Sequence, residues 1–174
     1  MLGLPKGQVF IIPWTEQWIV AYEAESRIIR DTLQAFHVTV HHIGSTAIRG
    51  LSAKPIIDIA IEIDHFEDSS LCAAKLEELG YRYLGTNILP ERHYLNKGEP
   101  RTHQIHMYEK DNRYLKDQLL FRNYLNVHEE ARTAYQDLKM QLSEKYKSDK
   151  HAYADAKTAF VRDILAIARN KEER

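Results

Sequence analysis

The segment from Ile56 to Ile63 constrains the fold more than any other part of the chain. Side chains alternate between the two faces of a β-strand, so isoleucine alone lines one face of this segment. Asp58 and Glu62 lie on the other face. A strand of this kind belongs to a sheet that packs helices against its aliphatic face. The segment therefore predicts a sheet with one covered side and one open, acidic side.

Helices and further strands are predicted around this strand from periodicity and turn chemistry. The expected helices cover residues 15–36, 70–79, 112–126, 129–147 and 152–170, and the expected strands cover 38–43, 81–84, 92–96 and 102–109. Turn residues at 97–100 predict a hairpin between the last two strands. The order predicts an α+β fold, with a small mixed β-sheet, helices on one face and a C-terminal helical segment. We interpret residues 1–174 as one domain, with a core of about 15–110 and a helical tail of about 111–174.

The composition excludes several classes of function. With 24 Lys and Arg against 25 Asp and Glu, the formal net charge is −1, which argues against general nucleic-acid binding. Cys72 is the only cysteine, so it cannot form an intramolecular disulfide. No segment reaches the roughly 20 apolar residues of a membrane span, and the N-terminus lacks the charged start of a signal peptide. We expect a cytoplasmic protein with no membrane partner.

A glycine turn follows the strand that precedes the isoleucine strand. Gly44, Ser45 and Thr46 combine backbone N–H groups with two hydroxyls, a set that can bind phosphate oxygens. The same residue types are common in ordinary turns and helix caps. Asp58 strengthens the phosphate interpretation, because a carboxylate on the next strand can hold a divalent metal that bridges phosphates. The alternative is that Asp58 and Glu62 simply face water.

Other candidate residues are less specific. Arg49, Lys54 and Arg92 are candidates for phosphate binding, although each also suits an ordinary surface position. The aromatic and basic residues of the helical tail, among them Tyr135, Lys139, Tyr153 and Lys157, are most simply interpreted as helix packing with solvated charges.

Histidine spacing limits the metal sites that the chain can form. His103 and His106 are three residues apart, so on one strand they face opposite sides, and the same parity separates His41 from His42. One member of each pair can therefore serve a site while the other packs.

Six segments of the chain resemble the GrpB family, which is placed within the nucleotidyltransferase superfamily of the DNA polymerase β type. The matching segments are HHIGSTAIRGLSAKPIIDIAIEI at 41–63, LEELGYRY at 76–83, HQIHMY at 103–108, FRNYL at 121–125, YQDLK at 135–139 and YADAKTAFV at 153–161. The resemblance implies a nucleotidyltransferase-like core in which a Gly-Ser turn, here Gly44 and Ser45, binds nucleotide phosphates.

The resemblance also implies a metal centre. In the superfamily, two carboxylates at alternate positions of the next strand hold two metal ions, and a third acid comes from a later strand. Asp58 matches the first carboxylate, whereas Ala60 stands in the place of the second. Glu62 lies on the correct face, but it is four residues from Asp58, roughly 13 Å along an extended strand. His106 occupies the expected position of the third ligand, and histidine suits a transition metal better than magnesium.

The resulting hypothesis is a nucleotidyltransferase-like protein that binds a nucleotide or another phosphorylated ligand. Gly44, Ser45 and Thr46 would hold the phosphates of a nucleoside triphosphate, and a nucleotidyl group would pass to a small acceptor. Asp58 and Glu62 are the candidate catalytic residues. Asp58, His106 and His42 are the candidate ligands of a divalent Mg, Mn or Zn ion. The alternatives are a non-catalytic module that binds a ligand or partner, and a metal-dependent phosphoesterase.

Overall fold

The computed structural model describes residues 1–87 and 89–172. In these ranges the strands are β1 (Val38–Ile43), β2 (Ile57–Ile63), β3 (Tyr81–Tyr83), β4 (His93–Lys97) and β5 (His103–Glu109). The helices are α1 (Gln17–Thr32), α2 (Ser69–Glu77), α3 (Arg113–Val127), α4 (Glu129–Lys145), α5 (Lys150–Asp155) and α6 (Thr158–Glu172). Short 3₁₀ turns occur at Ser45–Ala47 and Phe66–Asp68. The predicted α+β class is confirmed.

Two helix predictions need correction. The first helix ends at Thr32 instead of Phe36, because the Phe36 N–H donates to the Leu33 carbonyl in a separate turn. The last predicted helix, 152–170, is two helices, α5 and α6. Between them the Lys157 N–H donates to the carbonyl of Ala154, three residues back, which tightens the chain into a turn.

The strands form one mixed sheet in the order β1-β2-β5-β4-β3. β2 and β5 run parallel, while the other neighbouring strands are antiparallel, including the predicted β4–β5 hairpin. The register sets Asp58 of β2 opposite Ile43 of β1 and beside Gln104 of β5. Because paired residues share a face of the sheet, Asp58 and Gln104 point to the same side.

The aliphatic face of β2 is the centre of the main hydrophobic core, as the alternation predicted. Ile57, Ile59 and Ile61 have no exposed surface. Helices α1 and α2 cover them with Trp18, Ile29, Leu33, Cys72, Ala73 and Leu76. Burial of these side chains stabilises the attachment of both helices to this side of the sheet.

The acidic face is less open than the sequence predicted. Ala60 and Tyr108 are fully buried there, and they pack with Ile43 and with Leu115 of α3. Alternation shows which residues share a face, but it does not show that a later helix returns to cover part of that face. Asp58, toward one end of β2, keeps 24% of its side-chain surface exposed.

The C-terminal helices pack beside the glycine turn. A second core joins Ile48 and Leu51, which follow the turn, to Leu125 of α3, Tyr135 of α4 and Ile164 of α6. This packing brings polar residues of α4 and of the α5–α6 turn toward the strand ends that carry Gly44 and Asp58. No helix within residues 1–87 and 89–172 is long and apolar enough to cross a membrane.

Candidate functional site

The backbone of Gly44 lies directly against the Asp58 side chain. Gly44 has φ +71° and ψ −173°, a conformation that is essentially restricted to glycine. A Cβ atom at this position would stand 2.6 Å from Oδ2 of Asp58, closer than real contacts allow. The glycine turn and the acidic strand, two separate sequence signals, therefore belong to one site.

Ser45 presents its hydroxyl at the surface of this site. The side chain is partly exposed, and it lies beside the buried Tyr135 of α4. Burial raises the pKa of the Tyr135 phenol, which therefore stays neutral at physiological pH. The first backbone hydrogen bond within the turn is donated by the Ala47 N–H to the Gly44 carbonyl. The Ser45 hydroxyl and the first N–H groups of the turn are the available donors.

Asp58 is surrounded on β5 by an amide and an imidazole. Nε2 of Gln104 donates to its Oδ1 at 2.5 Å, and Nε2 of His106 lies 3.8 Å from the same oxygen. The Tyr94 hydroxyl donates to Oε1 of Gln104 and thereby fixes the amide. The structure thus brings together Asp58 and His106, two of the predicted site residues. Gln104 was missed, because its contact with Asp58 depends on the parallel β2–β5 register.

Glu62 does not converge with Asp58. Its carboxylate lies 3.4 Å from Nε2 of His41 and accepts the Asp111 N–H before α3. The distance along the strand explains this separation, since the two acids are four residues apart. Ala60, between them, is fully buried and offers no ligand. The prediction of Glu62 as a catalytic partner of Asp58 is not supported by this geometry.

His42 and Thr46 are bonded to each other away from the Asp58 face. Nε2 of His42 lies 3.0 Å from the Thr46 hydroxyl, which itself donates to the Ile56 carbonyl. The Tyr22 ring of α1 stacks on the imidazole at 4.4 Å. Burial lowers the pKa of His42 to about 4, so the ring is neutral and donates from Nε2. This arrangement corrects two predictions, a metal-binding His42 and a phosphate-binding Thr46.

The three basic candidates from the sequence lie in different places. Arg49 is exposed and pairs with Glu16 at 3.3 Å, away from Asp58. Arg92 lies over the Tyr94 ring, and its charge acts on Tyr108 farther along the sheet face. Lys54 lies over a buried ring of α5, that of Tyr153.

Three lysines form what we call the lysine cluster: Lys54, Lys139 and Lys157. The ammonium groups of Lys54 and Lys157 each lie 4.3 Å from the Tyr153 ring centroid. Lys139 is only 2% exposed and donates to the Ser52 carbonyl. The sequence interpretation, helix packing with solvated charges, is wrong for Lys139, which is buried, whereas Lys157 is only partly buried. Helical spacing does not show which element packs on a helix face.

The pKa values of the cluster place it in the electrostatic field of Asp58. Burial, Lys157 and Lys54 all lower the pKa of Lys139, and Asp58 acts in the opposite direction. Burial lowers the pKa of Lys157 to about 8, again against the effect of Asp58. Lys157, whose pKa of about 8 leaves it mostly protonated at neutral pH, and the Asp58 carboxylate thus interact in this part of the molecule.

Helix α3 holds the backbone around the turn. Asn126 donates to the Ala47 carbonyl and accepts the Arg49 N–H, so both ends of its amide are bonded to this loop. Arg122 donates to the His42 carbonyl at 2.7 Å. A cleft of about 470 Å³ opens beside this helix, and Tyr135 and Lys157 both line it.

The residues do not fit a two-magnesium centre. In the described ranges, no three His, Cys, Asp or Glu side chains converge to hold a metal ion. Asp58 stands without a second carboxylate because Ala60 takes its place, and one of its oxygens already accepts from Gln104. Magnesium prefers oxygen ligands, so His106 does not compensate.

Replacing Gly44 tests the contact with Asp58. In Gly44→Ala, the new methyl group meets the carboxylate and the backbone is strained, so we expect the free energy of unfolding to fall by about 3 kcal/mol. Gly7→Ala is the control, since Gly7 also has a positive φ, +81°, but no atom lies within 4 Å of its added Cβ. For Gly7→Ala, we expect the free energy of unfolding, measured by urea denaturation, to fall by about 1 kcal/mol. Equal losses would contradict a close Gly44–Asp58 contact.

The buried His42 makes stability depend on pH. Its pKa is about 4 in the folded state against an ordinary 6.5, so between these values the unfolded chain binds more protons. The free energy of unfolding should therefore fall as pH decreases through this window, by up to about 3 kcal/mol from this group. His42→Gln keeps a donor toward Thr46 without titrating. If urea unfolding gives the same pH dependence for both proteins, His42 is not buried as described.

Comparisons with known proteins identify relatives over nearly the whole chain. The family model described as GrpB protein matches residues 8–166. The glutamate-rich protein GrpB of Alkalihalophilus pseudofirmus is 31% identical over 171 residues, covering 95% of this chain and 98% of the relative. The UPF0157 protein YqkA of Bacillus subtilis is 35% identical over 159 residues, covering 91% of this chain. The chain spans about half of YqkA, 46% of its length.

Solved structures agree with this family and extend the fold relationship. The crystal structure of conserved protein GrpB from Enterococcus faecalis matches with a TM-score of 0.88 and 34% identity, covering 95% of this chain and all of that one. The Cid1 poly(U) polymerase with bound Mg 3'-dATP matches with a TM-score of 0.59 and 13% identity, over 84% of this chain and 49% of that chain. At this identity the Cid1 match establishes a nucleotidyltransferase-like fold alone. The chain belongs to the GrpB family.

Proposed function

We propose that this protein binds a nucleotide or another phosphorylated ligand between the Gly44–Ser45 turn and the lysine cluster. One observation supports the proposal: the backbone of the glycine turn packs against the Asp58 carboxylate, whose charge also acts on Lys157. Tyr135, which lies beside Ser45, lines one cleft together with Lys157. Asp58 lies against the turn on its other side.

The proposed reaction is transfer of a nucleotidyl group to a small acceptor. The acceptor hydroxyl forms a bond to the α-phosphorus, the bond to pyrophosphate breaks, and the hydroxyl proton passes to Asp58. His106 lies 3.8 Å from Asp58 and can take up the proton in turn. The Gln104 amide keeps the carboxylate oriented toward the turn. No step is assigned to a metal ion, because the residues do not fit a two-magnesium centre.

A non-catalytic module of the same fold is the second candidate. Ala60 favours it, because the fully buried methyl group replaces a carboxylate that the fold relationship implies. Such a protein would bind the same phosphorylated ligand without transferring any part of it.

A cytoplasmic location and a lack of general nucleic-acid binding also belong to the proposal, on the grounds of cysteine content and charge balance.

Calorimetric titration with a panel of nucleoside triphosphates, with and without Mn²⁺, tests binding. Ser45→Ala should weaken binding of the tightest-binding nucleotide about tenfold, because one hydrogen bond to a charged group is lost. Ser70→Ala is the matched control, because Ser70 is exposed on α2 across the sheet. If no nucleotide or phosphorylated compound binds under either condition, the proposal fails.

Asp58→Asn separates the two candidates. For an enzyme, this variant should lower nucleotidyl transfer by about 10² to 10⁴-fold, the usual contribution of general-base catalysis. Ligand binding should be retained or strengthened, because a negative charge beside the phosphates is removed. If wild-type protein binds a triphosphate but consumes none with any small hydroxyl acceptor offered, the non-catalytic module is favoured.

A further inference from the structure

Two arginines on the Asp58 side of the sheet lie outside the proposed phosphate site, and we call them the arginine pair. Arg92 precedes β4 and Arg101 precedes β5, yet both contact Tyr94 of β4. We propose that the arginine pair binds the anionic group, a carboxylate or a phosphate, of the small acceptor. Anion binding here does not depend on the proposed function, whereas the role of the bound molecule as acceptor rests on it.

Tyr94 brings the two guanidinium groups to one place. Cζ of Arg92 lies 5.4 Å from the centroid of the Tyr94 ring, and Nη1 of Arg101 donates to the Tyr94 hydroxyl at 3.4 Å. One arginine thus contacts the face of the ring and the other its hydroxyl end. A planar guanidinium presents several N–H donors in a fork that matches a carboxylate or a phosphate. Two such groups at one tyrosine can therefore bind a single anion together.

The arginine pair has no carboxylate partner in the part of the chain that the structure describes. The arginines that form ion pairs there are Arg49, Arg162 and Arg169. The side chains of Arg92 and Arg101 are only partly exposed, and the Nε atom of each is buried without a hydrogen-bond partner. Partly buried charges with unused donors are stabilised when an anion binds beside them. This observation indicates a ligand of negative charge.

A chain of three hydrogen bonds connects Arg101 to Asp58. Arg101 donates to the Tyr94 hydroxyl, which donates in turn to Oε1 of Gln104 at 2.5 Å. Nε2 of Gln104 then donates to Oδ1 of Asp58. Because arginine can only donate, the direction of the whole chain is set, and Oδ1 is used as an acceptor. Oδ2, on the side of Gly44, is the oxygen left for the hydroxyl of the acceptor.

His106 forms a second connection between Tyr94 and Asp58. Its ring centroid lies 5.3 Å from that of Tyr94, and its Nε2 lies 3.8 Å from Oδ1 of Asp58. Tyr94 thus contacts the arginine pair and two neighbours of the carboxylate, Gln104 and His106. One small molecule can therefore bring an anionic group to the arginines and a hydroxyl to Asp58. The ligand class that fits is a small hydroxy acid or a phosphorylated alcohol.

The experiment is calorimetric titration of the full chain with glycerate, glycerol 3-phosphate and glycerol, each with and without a non-hydrolysable nucleoside triphosphate. We expect at least one of the two anions to bind, which separates carboxylate from phosphate, and the neutral glycerol not to bind. Arg92→Met and Arg101→Met keep an aliphatic stem and remove the charge, and each should weaken anion binding by about tenfold or more. Arg27→Met, at an exposed position of α1 across the sheet, is the control.

The outcomes separate this inference from the proposed function, which is tested by nucleotide binding and its loss in Ser45→Ala. If neither anion binds, or if neither arginine variant weakens the binding, the inference is wrong and the proposed function stands. If the arginine variants weaken triphosphate binding alone, the pair belongs to the nucleotide site and the inference is also wrong. Urea unfolding checks that the variants fold. Arg101→Lys keeps a charge without the fork and should lose less affinity than Arg101→Met.

Discussion

The close approach of the Gly44 backbone to Asp58 is the constraint on which the site depends. It follows from the pairing of β1 with β2, which sets Ile43 opposite Asp58. The chain must leave β1 at this point with a positive φ and without a side chain, since a Cβ atom would strike the carboxylate. The turn that follows is then held by Asn126 and Arg122 of α3. A backbone turn with free donors and a fixed carboxylate are thereby kept adjacent.

The C-terminal helices complete this site as well as packing against it. Tyr135 reaches Ser45, Lys139 reaches the Ser52 carbonyl, and Gln136 accepts the Ser52 N–H. The loop between β1 and β2 is thus enclosed by α4 on one side and by the strands on the other. Enclosure lowers the pKa of Lys139 and Lys157.

The sequence predicted the features that local periodicity determines, but it did not predict those that depend on strand register or on packing between distant elements. Alternation in β2 predicted the buried isoleucine face, and the resemblance linked Gly44 with Asp58. Parity separated His41 from His42 but did not say which one shared the face of Asp58. The β1–β2 register puts His41 on that face and His42 under α1. Lys139 could not be found from pattern, because lysine is almost never fully buried and its partner is a backbone carbonyl distant in sequence.

A crystal structure of the protein with a non-hydrolysable nucleoside triphosphate tests the account most directly. The account predicts that the phosphates lie against Gly44 and Ser45 and within hydrogen-bond distance of the Lys157 ammonium group. Asp58 should then face the α-phosphate from the β2 side. Phosphates bound elsewhere on the molecule, with Lys157 still stacked on Tyr153 and no contact to Ser45, would contradict it.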